Sequence, residues 1–210
     1  LKNTSSILHG FLRCITVWMA RYLGPEQFGM LNYAISFTAL FGILSSLGLN
    51  TLATRELLTN PQDSQYIMGT SFLLSFVGAI VLLPIAVFSV SVVRPDNELI
   101  FIMVLIISST FFFKSFSVIK YWFESHVQAK YSVIVEALLV FISAFIKGTL
   151  IYLEAPLVAF AWAVLVESIL MAFGLIAMYL SKSNKIFSWK VSFEKSKYLL
   201  KKAYPLILAG

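Results

Sequence analysis

Five ionisable side chains, Arg13, Lys114, Glu136, Lys147 and Glu167, stand inside long apolar runs of a 210-residue chain. A charge at the centre of a membrane-spanning helix costs at least about 2.5–3.5 kcal/mol, so each must face a partner, a wet cavity or the interface. Arg13 and Glu167 lie near the middles of their runs, too deep for easy snorkelling, and are the strongest functional candidates. Lys114 and Glu136 lie nearer the ends of theirs, where a long side chain reaches the headgroups. Glu136 and Lys147 are eleven residues apart, about three helical turns, and so share one helix face roughly 16 Å from one another. They cannot pair directly and instead draw a polar stripe suited to the wall of a pathway. A structural account pairs Lys147 or Arg13 with Glu167 across a helix bundle. His9, four residues before Arg13, shares its face and reads as a hydrogen-bonded core residue.

Other chemistry is missing from the sequence. It has no phosphate-binding Gly-x4-Gly-Lys-Ser/Thr loop, no Gly-x-Gly-x-x-Gly, no Gly-x-Ser-x-Gly elbow and no His-Glu-x-x-His. Cys14 is the single cysteine, and with only His9 and His126 beside it neither an internal disulfide nor a Cys/His metal site is expected. Glu56, Asp63 and Glu124 fall one to a connection, so no acidic cluster forms for metal or general-base work. We assign no catalytic residue, no metal and no cofactor, and expect a transporter before an enzyme.

The elements that must position these charges follow from composition. With 59% hydrophobic and 12% charged residues and a mean hydropathy of +0.87, the chain cannot coat a soluble globule, whose surface normally needs about a quarter of its residues charged. Six apolar segments meet or approach the roughly 20 residues that cross a bilayer: about 6–22, 28–50, 66–93, 99–119, 132–152 and 157–180. They must be helices, because backbone polar groups cannot go unpaired in lipid and the runs lack the short alternating pattern of barrel strands. The expected fold is all-α, a polytopic six-helix membrane bundle over residues 1–180.

Lysines 182, 185, 190, 195, 197, 201 and 202 crowd one connection and match the excess behind the net charge of +6. With Arg55, Lys120 and Lys130 after the second and fourth segments, they place the even-numbered connections and both ends of the sequence in the cytoplasm. The lysine run reads as a membrane flank rather than a nucleic-acid arm, with membrane lipids as its partner. Tyr121, Trp122 and Phe123, and likewise Phe187, Trp189, Phe193, Tyr198 and Leu199, suit helices lying at the headgroups. Residues 181–203 then form a basic amphipathic connection, and Tyr204-Pro205-Leu206 opens a seventh apolar run, so that 204–210 reads as the truncated start of a second lobe. Ala34, Thr38, Gly42 and Ser46, and Ser71, Ser75 and Ala79, repeat every fourth residue and suit close helix packing. Pro84 should kink the third segment.

From Ala20 to Gly29 the run Ala-Arg-Tyr-Leu-Gly-Pro-Glu-Gln-Phe-Gly closely resembles the first outside turn of the Wzx-type O-antigen and polysaccharide flippases, within the multidrug/oligosaccharidyl-lipid/polysaccharide exporter superfamily. Leu31-Asn32-Tyr33-Ala34, Gly48-Leu49-Asn50, Ala53-Thr54-Arg55-Glu56, Trp122-Phe123-Glu124 and Tyr204-Pro205-Leu206 are similar to later landmarks. Arg21, Leu23, Gly24, Pro25 and Gly29 carry the turn motif structurally: Gly24-Pro25 for the reversal, Gly29 for a close start of the second helix.

The resemblance implies a flippase of the bacterial inner membrane that moves an undecaprenyl-diphosphate-linked O-antigen unit outward by alternating access, for lipopolysaccharide or other surface polysaccharide. It also implies two six-helix lobes around a cationic cavity, no nucleic-acid partner, the polysaccharide polymerase machinery as a neighbour, and drive from a proton or sodium gradient rather than ATP. Arg13 and Lys147 fit the cationic role, with Lys114 behind them. Alternatives are a drug or metabolite antiporter of the same superfamily, a glycosyltransferase or ligase acting on the same lipid, and a scaffold whose charges only glue the bundle.

Overall fold

The computed structural model describes residues 2–45, 49–182, 189–193, 196–197, 199 and 201–202, with side chains from Ile15 onward except those of Ser45, Asn50 and Thr51. Among these residues the fold is all helical: α1 (Lys2–Ser45), α2 (Leu49–Thr59), α3 (Ser64–Val93), α4 (Glu98–Ser108), α5 (Thr110–Lys114), α6 (Val118–Ser125), α7 (Lys130–Tyr152) and α8 (Leu157–Ser181). Five stretches are long and apolar enough to cross a membrane: Ile15–Leu44, Pro61–Val93, Glu98–Ser125, Lys130–Tyr152 and Leu157–Ser181. Large apolar side chains such as Phe88 and Phe145 point outward from them, as lipid-facing helices require. This is a multi-pass helical membrane bundle.

The first stretch contains parts of two expected segments, because α1 is broken at Gly24 (φ 72°, ψ 169°). That backbone conformation is open essentially to glycine alone. Pro25 starts the second rod, where its missing N–H costs nothing. Leu23 is buried and the Tyr22 hydroxyl donates to the Ala155 carbonyl at 3.0 Å, which fastens this turn to the α7–α8 turn. One reading of the motif needs correction: nothing lies within 4 Å of where a Cβ on Gly29 would be, so no close approach depends on it. Arg21, at the same turn, is exposed.

The fourth span also differs from expectation. Rather than ending near Ile119, it continues to Ser125 as α4, α5, a 3-10 turn at Ser115–Ser117 and α6. The aromatics expected at the headgroups face protein instead: Phe123 is fully buried, and Trp122 stacks on His126 and meets Tyr179 edge-on. α3 runs unbroken through Pro84.

Two apolar clusters close the bundle. One joins Leu23, Leu31, Met103, Ile107 and Phe160 at the Gly24 end, and the other joins Leu57, Met68, Phe123, Leu175 and Tyr179 at the opposite, basic end. The described part of the basic connection lies against the protein here. Trp189 packs on Phe72 and donates to the Tyr179 hydroxyl at 3.3 Å. The Lys190 carbonyl oxygen crosses Gly69 so closely that a Cβ there would sit 2.4 Å from it. Leu199 is buried with Leu49 and Leu52, and Lys202 reaches Glu56 at 2.9 Å. A free amphipathic anchor was expected; Trp189 and Leu199 spend their apolar surface on the bundle instead. Phe187 and Tyr198 lie outside the described residues, as does the 204–210 segment.

Candidate functional site: a charged cavity between the two clusters

Between the clusters lies a cavity of about 500 Å³, bordered by Ile107 from one and Leu175 from the other. Its walls come from the second rod of α1 (Ile35, Thr38, Ala39), the broken fourth span (Thr110, Phe113, Lys114, Ser117), α7 and α8. Four of the five residues singled out by their cost in lipid, Lys114, Glu136, Lys147 and Glu167, line this one space. The side chain of the fifth, Arg13, lies outside the described residues.

Geometry on α7 explains the stripe. Glu136, Val140, Ser143 and Lys147 recur at four, seven and eleven residues, one face of a helix, and all four line the cavity. α8 presents Glu167 to this face. Lys147 Nζ lies 2.9 Å from Glu167 Oε1, Ser143 Oγ donates to the same oxygen at 2.7 Å, and Lys147 donates to Ser143 Oγ at 3.0 Å. The Lys147 and Glu167 side chains keep 20% and 25% of their surface, so the pair borders the cavity and is not sealed in dry protein. Glu136 is held by Lys120 of α6.

Lys114 differs from these. Its side chain is exposed, lines the cavity, and among the described residues makes neither an ion pair nor a hydrogen bond. Its ammonium lies 6.0 Å from the Phe111 ring centroid and 3.8 Å from where a Cβ on Gly42 would stand, so the small-residue stripe of the second rod makes room for it. The longer fourth span corrects the view that Lys114 sits at an end. The centre of Glu98–Ser125 falls between Phe111 and Phe112, within a helical turn of Lys114. Ser125 is roughly 16 Å further along the axis, beyond a lysine's reach to the interface. The span also tightens to a 3-10 turn directly after Lys114, a local irregularity often found at functional positions.

Thr38 and Thr110 line this cavity, are 1% exposed, and have buried hydroxyl oxygens with no partner among the described residues. Ser117 is shared by the central cavity and a cleft of about 670 Å³ at the basic end, lined by Thr54, Arg55, Lys120 and Glu124 among others. Lys114 lies three residues before Ser117, on the side of the central cavity that borders this cleft. Sequence reasoning missed Lys120, Ser143 and Thr110. Ser143 had a readable signal, the α7 periodicity; Lys120 and Thr110 come to the site only through folding of the fourth span. No cluster of three or more His, Cys, Asp or Glu suited to a metal occurs among the described residues.

Fold and cavity together define a multi-pass helical membrane protein with a charged interior. The chain belongs to the polysaccharide biosynthesis protein family, whose model matches residues 5–209. No curated protein and no solved structure matches it. Family and fold give it a role in polysaccharide synthesis or transport.

Proposed function

We propose that this chain is the first lobe of a flippase that carries an undecaprenyl-diphosphate-linked O-antigen or related polysaccharide unit across the bacterial inner membrane by alternating access. The observation that carries the reading is Lys114, a cation near the middle of its span that lines the cavity and makes no ion pair among the described residues. Each acid of that cavity is already held: Glu136 by Lys120 and Glu167 by Lys147. The lining holds two lysines and two glutamates, and because Lys120 reaches Glu136 from outside that lining, Lys114 is the lysine left without an ion pair among the described residues. An acceptor-only diphosphate supplies what Lys114 and the two unpaired threonine hydroxyls lack, and charge-assisted hydrogen bonds strengthen away from bulk water. An antiporter for cationic drugs would need an acid left unpaired here.

Residues 181–203 connect this lobe to a second one begun by 204–210, and the second lobe closes the cavity. The basic end faces the cytoplasm under the positive-inside rule, as does the N-terminus. A proton or sodium gradient drives the cycle, and the polymerase machinery receives the product. Reconstitution of the complete protein in liposomes with a labelled lipid-linked oligosaccharide tests this. Label reaching the far leaflet supports a flippase; label chemically transferred to an acceptor without crossing supports a ligase or glycosyltransferase and overturns the proposal. On a Cys14→Ala background, Asn97→Cys should react with an impermeant thiol reagent from outside and Lys197→Cys should not; the reverse pattern contradicts the orientation.

A further inference from the structure

The cavity has two chemically different ends, and resting on the flippase reading we infer that the Lys147, Ser143 and Glu167 group is a subsite for the sugar of the cargo, separate from the diphosphate station at Lys114.

The hydrogen-bond capacity left over at this group carries the argument. Glu167 Oε1 takes both the Ser143 hydroxyl at 2.7 Å and Lys147 at 2.9 Å, while Oε2 has no partner among the described residues. Of the three Lys147 donors, one goes to Glu167 and one to Ser143 at 3.0 Å, so one remains. Ser168, which also lines the cavity, donates backward to the Val164 carbonyl at 3.2 Å and keeps its acceptor lone pairs. The group is therefore neutral in sum and offers a donor beside acceptors. A diphosphate has no proton to give and meets repulsion at Oε2. A sugar hydroxyl both donates and accepts, and neighbouring hydroxyls satisfy such a mixed edge together.

Position supports the same division. Lys147 is eleven residues beyond Glu136 on α7, about 16 Å along the axis and away from the basic end where Lys120 binds Glu136. The sugar end then lies deeper than the cation that meets cargo from the basic end. Glu167 is fixed by two donors and Ser143 is 8% exposed, so the edge is pre-organised by the ion pair rather than assembled on binding.

The test measures affinity of the full-length protein in nanodiscs for two probes: bare undecaprenyl diphosphate, and the undecaprenyl-diphosphate-linked oligosaccharide extracted from the cells that make the protein. Wild type should prefer the sugar-bearing lipid. Ser143→Ala should cut that preference about threefold to tenfold, the worth of one or two neutral hydrogen bonds. Glu167→Gln should also cut it, and by releasing the Lys147 charge should tighten binding of the bare lipid; a merely structural pair would leave the preference between the two lipids unchanged. Lys114→Gln should weaken both lipids with the preference retained. Should the Ser143 and Glu167 variants fail to fold, free oligosaccharide added to wild type decides: it should compete with the sugar-bearing lipid and not with the bare one. Equal affinity of wild type for the two lipids, or competition against both alike, overturns the subsite and leaves the flippase reading standing. Binding of neither lipid overturns the flippase reading itself.

Discussion

At one end of the cavity Lys147 is held by Glu167 and Ser143; at the other Lys114 lines the same space with no such partner among the described residues. Both residues are lysines inside apolar helices, and burial cost alone ranks them together. Surroundings separate them. A compensated lysine is a structural and hydrogen-bonding element, whereas an uncompensated one, in a cavity also lined by Thr38 and Thr110 with their unpaired hydroxyls, is an invitation to an anion. The depth of a charge in a span therefore says less about its role than whether the fold has already neutralised it.

The largest expected effect lies at the uncompensated end. Lys114→Gln should slow flipping by about ten- to a hundredfold, equivalent to losing one charge-assisted hydrogen bond. Its melting temperature should hold, since no protein partner is lost. At the compensated end the order reverses. Lys147→Met strands Glu167, and because both side chains retain some exposure the expected loss is about 1–3 kcal/mol of stability, short of the cost of a dry buried charge. The double variant Lys147→Met/Glu167→Met should recover most of it, as thermal unfolding in detergent would reveal; purely additive losses would break the comparison. Lys120→Met strands Glu136 in the cavity Lys114 lines. It gives the free lysine a counter-charge and should lower flipping by roughly threefold to tenfold, about 1 kcal/mol. Smallest is Gly42→Ala, whose methyl would meet the Phe111 ring at 3.3 Å and Lys114 at 3.8 Å. It should cost less than about 1 kcal/mol, with a mild loss of transport and no effect on the Lys147 pair.

Much of this architecture is legible in the residues. Apolar run length gives the helices, and the Gly24-Pro25 pair gives the break in α1, because a backbone at φ 72° followed by a proline start leaves little else. The polar face of α7 follows from periodicity. Other features depend on contacts between distant segments. The fourth span reads as ending near Ile119 because Lys120, Glu124 and His126 look interfacial, yet Phe123 turns inward and carries the helix on to Ser125. That shift alone moves Lys114 from the edge of a span to its middle. Trp189 and Leu199 read as lipid anchors because amphipathicity does not say which apolar surface covers them; here it is α2, α3 and α8. Apolar run length and spacing do not say which cation reaches Glu167; the 2.9 Å contact gives it Lys147, while the Arg13 side chain lies outside the described residues.

Transport by the full-length protein reconstituted in liposomes, compared between wild type, Lys114→Arg and Lys114→Gln with labelled lipid-linked oligosaccharide, tests the central assignment most directly. Arginine keeps the charge and should retain flipping within a few-fold of wild type, while glutamine keeps the length and loses it by about ten- to a hundredfold. Wild-type flipping by Lys114→Gln would contradict the assignment of the uncompensated cation as the anion station of the cavity.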